Sequence, residues 1–369
     1  MESRIDRLRD RLLAEKDSEA DAILVTDEVN VRYLSGFTGD SSWLLVQRDG
    51  KATLLSDRRY ETQIASECPT LNAAVRPPTQ KMPELLQEVV TDARLGEVAF
   101  EAEHVTVAQL AGWRDLLKDM AWTQTAGWVE TLRLVKDASE LEIIQRSIDV
   151  AQRTFRSVVP KITRRMTERD IAHEFEATMR HLGAEGFSFD AIIAVQPSGA
   201  LPHYRPADTS LDRCQGLLID WGASVDGYCS DLTRTLHVAD GNLASSDRYR
   251  RAYETVLSAQ LAAIDCIAGG AKARDVDTAA RSVIDAAGLG DAFKHGLGHG
   301  FGLQIHESPR MGPLAEETLL PGMVVTVEPG VYFEGEFGIR LEDDVLVTET
   351  GCRVLSDLPK GLSDSAVFL

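Results

Sequence analysis

ITRRMTERDIAHEFEATMRHLG, residues 162–183, aligns without gaps with IAGGAKARDVDTAARSVIDAAG, residues 267–288, at a shift of 105. Ile162 meets Ile267, Arg169 meets Arg274, Asp170 meets Asp275 and Gly183 meets Gly288. Apolar Ile171, Phe175 and Met179 meet Val276, Ala280 and Ile284, and a four-residue apolar spacing marks one face of a helix. Thr167 supplies an N-cap and Gly183 a left-handed stop. The chain therefore carries an internal repeat, each copy reading as helix, helix, then strands. Two such halves can face each other about a pseudo-twofold axis. The expected fold class is α/β (α+β), with a mixed-sheet N-terminal domain followed by this duplicated one.

Outward from the repeat, the strands that follow each copy end on acids. GLLIDWG (216–222) places Asp220 two residues before Gly222, and GMVVTVEPG (322–330) places Glu328 two residues before Gly330. Each half adds another acid on its next strand, Asp231 in GYCSDLTRT and Glu342 in GIRLEDD. If Asp226-Gly227 forms a two-residue turn, residue i pairs with 453 − i, so Asp231 faces Gly222 and Asp220 faces Thr233. The two acids are then diagonal neighbours on one face. A two-residue turn at Glu334-Gly335 would put Glu328 and Glu342 on opposite faces, since strand side chains alternate. A three-residue loop, 334–336, sets them directly across from each other, and that odd loop or a bulge is expected, with Gly335 left-handed.

Between these strands lies HGLGHGFGLQIHESP (295–309), which holds three of the eight histidines and four glycines. Histidine ligates metals and moves protons near neutral pH, and glycine lets backbone approach closely. Four carboxylates gathered in a partly buried site cannot all stay ionised without positive charge. Two divalent cations supply it. Oxygen-rich ligation with one imidazole suits relatively hard ions such as manganese or cobalt, with zinc as an alternative, and affinity order alone does not choose among them. Two ions roughly 3.5–4 Å apart can hold a water against a carbonyl carbon, which is hydrolytic chemistry.

Composition narrows the rest. With 369 residues, 44% hydrophobic and 26% charged, the chain has the makings of two globular domains. A net charge of −19 with no basic cluster argues against nucleic acid as a partner. Five scattered cysteines without a CxxC pair argue against a disulfide framework and fit a cytoplasmic location. MESRIDRLRDRLLAEK lacks the apolar core of a signal peptide, and no stretch reaches the length of a membrane span. HExxH, GxSxG and GxxxxGK[ST] are all missing, so zincin, serine-hydrolase and P-loop readings have no support.

The first 130 residues read as alternating helices and strands. Ile5, Leu8, Leu12 and Leu13 form the apolar side of an amphipathic helix, and AILVTD (22–27) reads as a buried strand. WLLVQ and KATLLSD flank Asp49-Gly50, which suits a two-residue hairpin turn. Helices near 83–92 and from Thr106 to about Leu117 flank a strand at 97–101. Asn30, Arg32 and Tyr33 are assigned to turn and packing roles, and no chemical constellation is evident here. Asp137 and Glu140 form a capping box that opens a long helix, and the domain boundary is placed near 130, giving domains 1–130 and 131–369.

DWGA…GYCSDLTRT, HGLGHGFGLQIHESP, TVEPGVY and GIRLEDD, in this order, closely resemble the motifs of the pita-bread metallopeptidases, specifically the Xaa-Pro peptidases, aminopeptidase P and prolidase. The resemblance covers essentially the whole chain. It implies a creatinase-type N-terminal domain followed by a pita-bread catalytic domain, and a di-metal exopeptidase acting on proline-containing peptides. Matched motif by motif, it implies Asp220, Asp231, His299, Glu328 and Glu342 as metal ligands, with Glu328 also the general base. His203 and His306 match histidines that stabilise the tetrahedral intermediate or shuttle protons. His295 and Arg340 match residues lining the substrate cleft, and Tyr332 matches a nearby tyrosine. His104, His173, His181 and His237 are left to structural roles. A homodimer is implied. A creatinase-like amidinohydrolase, or a non-catalytic binding protein on the same scaffold, would show eroded ligands, and all five positions carry the expected residue types. Methionine aminopeptidase usually lacks an N-terminal domain of this kind.

Overall fold

Capping residues mark where several of the helices begin. Thr167 accepts a hydrogen bond from the Asp170 amide while the Asp170 carboxylate accepts from the Thr167 amide, opening the Glu168–His181 helix. Such a box satisfies two of the backbone donors that every helix start leaves unpaired. The same device, from Asp137 with Glu140 and from Thr106 with Gln109, opens Ala138–Val158 and Val107–Leu116. The computed structural model describes residues 3–15, 19–239 and 241–369, and the chain divides into two units, Met1–Arg133 and Leu134–Leu369.

In the second unit the repeat is realised in space. The helices Glu168–His181 and Ala273–Ala286 start and stop at the same points of the aligned sequences. Gly183 and Gly288, with φ of 105° and 74°, end both. Ile171, Phe175 and Met179 are wholly buried in one half, and Val276, Ala280 and Ile284 in the other. Each of these side chains except Ala280 contributes roughly 1.5–3 kcal/mol by burial. Even an isolated bridge recurs, Thr167 with Ser210 and Lys272 with Thr318. The first half builds a sheet in the order Ala366–Val367, Leu232–Val238, Gly216–Trp221, Ile192–Val195. The second builds one in the order Glu307–Met311, Gly298–Gly300, Val324–Val327, Asp343–Val347, Cys352–Val354.

Both hairpin registers follow the sequence argument. Pairs from His237 with Gly216 to Val225 with Tyr228 all obey the sum 453 and close on Asp226 and Gly227, whose φ values are 46° and 74°. Pairs from Val324 with Leu346 to Phe333 with Phe337 obey the sum 670 and leave 334–336 as a three-residue loop with Gly335 at φ 75°. Glu328 and Glu342 also sum to 670, so the odd loop sets them across from each other.

The first unit is a six-stranded mixed sheet in the order Asn72–Arg76, Ala52–Asp57, Trp43–Gln47, Ala22–Val25, Glu97–Glu101, Ala121–Thr125. Leu85, Leu86, Val90 and Trp113 from its helices cover Leu24, Leu45, Leu55 and Val98 of the sheet. The turn at Asp49-Gly50 differs from expectation. Val46 pairs with Ala52 and the Gln47 amide donates to Lys51 O, which leaves a three-residue loop. Only Gly50 takes a positive φ, 92°, while the Asp49 carboxylate accepts from the Lys51 amide and stabilises the wider turn. In the Arg4–Ala14 helix Leu8 and Leu12 are buried, but Leu13 is 49% exposed, off the apolar side. Residues 1, 2 and 16 of the charged N-terminal stretch lie outside the described residues. Asn30 and Tyr33 do pack: Arg133 donates to Asn30 Oδ1 at 2.8 Å and Tyr33 donates to Leu132 O at 2.9 Å. Among the described residues no helix is long and apolar enough to cross a membrane.

Candidate metal centre

Every residue of the Gly216–Trp221 strand is buried, and Asp220, near its end, reaches a cleft of 810 Å³. Close strand approach brings the other acids to the same point. A Cβ on Gly222 would stand 1.8 Å from Ser230 O, and one on Gly298 2.2 Å from Thr326 O, so only glycine fits at either crossing. Asp220, Asp231 and Glu342 each present an oxygen within 4.8 Å of the others'. His299 Nε2 lies 3.6 Å from Asp231 Oδ2 and 3.5 Å from Glu328 Oε1. All five residues thus gather, two acids from each half and one imidazole.

Hydrogen bonds aim these groups. His299 Nδ1 faces Gly300 O at 3.1 Å; a carbonyl can only accept, so the proton sits on Nδ1 and the Nε2 lone pair points at the acids. Thr233 donates to Glu342 Oε2 at 2.7 Å, and Thr326 donates to Glu328 Oε1 at 3.3 Å. Arg340 donates to Asp220 Oδ2 at 2.5 Å and to Tyr332 Oη at 2.7 Å. Because His295 Nδ1 meets Gly296 O, its Nε2 accepts from the Tyr332 hydroxyl, 2.9 Å away. Tyr332 thus stands behind His295 and Arg340 and does not line the cleft, whereas those two, with His203, His306 and His299, do.

The electrostatics describe a donor set built for cations. Burial, then the charges of Glu342 and Asp220, holds the Asp231 carboxyl well above its ordinary range. Burial, then Glu328 and Asp220, does the same to Glu342. Burial raises Glu328 to about 8. It lowers His299 to about 3, with help from His306, and His295 to about 4, with help from Arg340. His306, its ring centroid 4.5 Å from that of His299, is lowered by burial and then by Arg310. Asp220 Oδ1 and Glu342 Oε1 are buried without a hydrogen-bond partner, a condition proteins rarely leave uncompensated. Hard carboxylate oxygens plus one neutral imidazole fit divalent ions.

The model of metallopeptidase family M24 matches residues 142–349, and that of the creatinase/prolidase N-terminal domain matches 4–135. The chain belongs to metallopeptidase family M24. The Xaa-Pro dipeptidase of Pyrococcus furiosus is 33% identical over 352 residues, covering 94% of this chain and 96% of its own. Among solved structures, an Xaa-Pro dipeptidase from Bacillus anthracis superposes with a TM-score of 0.91 at 33% identity, covering 99% of both chains. The X-Pro aminopeptidase from Thermotoga maritima gives 0.88 at 33% identity, covering 98% of this chain and 99% of that one. The fold is accordingly mixed α/β, a creatinase-type N-terminal part and a pita-bread part, and the family implies divalent metal ions.

Several residues around the centre of this metallopeptidase were not singled out from sequence. Thr233 and Thr326 orient carboxylates, yet a threonine in a strand carries no signal of that. Asp344, the last acid of LEDD, is fully buried and accepts from the Asp231 amide at 3.2 Å. The run of acids was visible; the inward turn of its last member was not. Lys136 and Glu307 form a buried ion pair at 3.0 Å beside His306. The N-terminal unit also holds an unannounced polar network, in which His104 lies 2.8 Å from Glu130 and 3.5 Å from Asp27, with Glu101 close by. Glu101 accepts from the amides of Thr26 and Asp27 and from Asn30, and Asn30 also donates to Glu130 at 2.5 Å. His237 lies on a buried strand 3.4 Å from Ser365.

Proposed function

We propose that this metallopeptidase is an exopeptidase that hydrolyses the bond preceding proline, with two divalent ions held by Asp220, Asp231, His299, Glu328 and Glu342. What supports this most is the meeting of five donors from two halves at one cleft, with buried oxygens of Asp220 and Glu342 left without partners. Manganese suits the hard donors first, then cobalt or zinc. When bound, the ions would supply the charge that lets the carboxylates ionise together and would acidify a water.

The chain's own groups divide the remaining work. Glu328, oriented by the Thr326 hydroxyl, takes the attacking water's proton. His306 and His203 donate to the oxygen that gains charge as the carbonyl carbon becomes tetrahedral. His295 and Arg340 line the cleft for the substrate, and Tyr332 fixes both. Proline's nitrogen carries no N–H for a backbone acceptor to engage, and a carbonyl held by His203 and His306, with the charge the ions would supply when bound, needs none.

The substrate class rests on the relatives, whose names specify Xaa-Pro bonds. They include both dipeptidase and aminopeptidase, and the distinction turns on whether the cleft is closed behind proline. The full donor set weighs against a creatinase-like amidinohydrolase and against a binding protein on this scaffold. We further propose a division near residue 130 into N-terminal and catalytic domains, a homodimer, and a cytoplasmic location, the last supported by the absence of disulfides among the described residues. The test is turnover of Xaa-Pro dipeptides and Xaa-Pro-containing tripeptides after chelation and readdition of manganese, cobalt or zinc. Activity that survives complete chelation overturns the proposal, and cleavage of the tripeptide at its first bond selects the aminopeptidase.

A further inference from the structure

We infer that Glu168 is a positioning residue for this reaction, pinning the segment that carries His203 against the cleft; the inference rests on the role proposed for His203. Glu168 is the first residue of its helix and is completely buried. Its carboxylate plays no part in capping, which Thr167 and Asp170 accomplish. Oε1 accepts from the Val195 amide at 2.8 Å, and Oε2 accepts from the Tyr204 hydroxyl at 2.8 Å and the Ala207 amide at 3.0 Å. Val195 ends the strand before the 196–206 segment and Ala207 follows it, so one side chain ties both ends and grips the neighbour of His203 midway. Tyr204 packs its ring on Ile192, Ala194 and Leu218.

The repeat supplies an internal comparison. In each half the first amide of this helix donates to the chain passing over it: Glu168 N to Thr209 O at 3.2 Å, and Ala273 N to Glu317 O at 3.0 Å. The second half therefore docks its helix with alanine at the equivalent position. Its counterpart of His203, at the shift of 108 that relates Thr209 to Glu317 and Asp220 to Glu328, is Met311. Helix docking does not require a carboxylate there, and a buried one is costly unless donors meet it. The acid occurs in the half where the overlying segment brings a histidine to the cleft.

The experiment is a double-mutant cycle in the metal-loaded full-length enzyme, on an Xaa-Pro peptide that the wild type cleaves. Glu168→Gln keeps the shape but turns an NH₂ toward amide donors. It should lower kcat roughly 100-fold, as a misplacement of about 1 Å does, with KM and bound metal within about twofold. On a His203→Ala background the same substitution should change kcat by less than about threefold. Equal losses on both backgrounds, or wild-type kcat in the single variant, overturn the inference. If Glu168→Gln does not fold, Tyr204→Phe replaces it, with about a tenfold loss that again vanishes without His203. Wild-type kcat in His203→Ala would instead overturn the role of that histidine, and a loss there with an additive Glu168 effect would overturn the positioning role alone.

Discussion

Loading metal into the chelated protein at pH 7 should expel protons, because the carboxylates that receive it cannot all be ionised beforehand. The structure sets the scale. Glu328, raised to about 8 by burial, is about nine-tenths protonated at pH 7 and so yields about 0.9 proton when a cation fixes it as the anion. Asp231 and Glu342, both lifted by burial and by neighbouring charge, add to this, so the release lies between about one and three. His299, lowered to about 3, is already neutral and contributes none. Calorimetric titration with manganese in two buffers of different ionisation enthalpy gives the number from the slope. Glu328→Gln should lower it by about 0.9, and raising the pH from 7 to 9 should remove most of the Glu328 share. Stoichiometric binding with no proton released at pH 7 would refute the reasoning, since the acids would then have been ionised and compensated within the protein itself.

Glu328→Gln should retain the fold and part of the metal while losing about 10²–10⁴ in kcat, as removal of a general base does; near wild-type turnover would remove that role. His306→Ala should lower kcat far more than it raises KM, roughly 10²-fold, because its bond strengthens as charge develops; an effect confined to KM would contradict this. Arg340→Ala should destabilise the metal-free protein by about 3–5 kcal/mol, since it leaves Asp220 buried beside other acids, and added manganese should recover part of the lost Tm. His295, lowered to about 4, contributes stability that is present above its unfolded pKa of about 6.5 and is lost as pH falls through 4. Between those values the wild type should lose up to roughly 3 kcal/mol relative to His295→Gln, and a flat difference in urea-unfolding curves would contradict the neutral buried ring.

What could be read from sequence here depended on period and on backbone sign. Strand side chains alternate, so the lengths of two turns determined which faces bear Asp220 with Asp231 and Glu328 with Glu342. Asp226-Gly227 suggested the two-residue turn, and the three-residue loop at 334–336 followed from the need to set Glu328 and Glu342 on one face, with Gly335, at φ 75°, its left-handed residue. The repeated helices were legible because apolar residues four apart need no knowledge of what they pack on. Asp49-Gly50 misled because one left-handed glycine serves a two-residue and a three-residue loop alike, and the choice fell to the Asp49 carboxylate. Thr233, Thr326, Asp344 and Glu168 were silent for a different reason. Thr233, Asp344 and Glu168 act on partners far along the chain, Thr233 on Glu342 and Glu168 on Tyr204, of which local pattern keeps no record, and Thr326 acts on Glu328 two residues away through a hydroxyl like that of any strand threonine.

The three-residue loop at 334–336 has an arithmetic consequence for how this region can vary. Sliding one arm of the hairpin past the other by a single residue would turn either Glu328 or Glu342 out of the centre and would carry Val331 or Ile339, both wholly buried, out of the core with it. A loop of another length that still closed on Phe333 and Phe337 would leave both acids in place. The acids and the core beneath them are thus held in one register, and a change that slips it should cost fold and activity together.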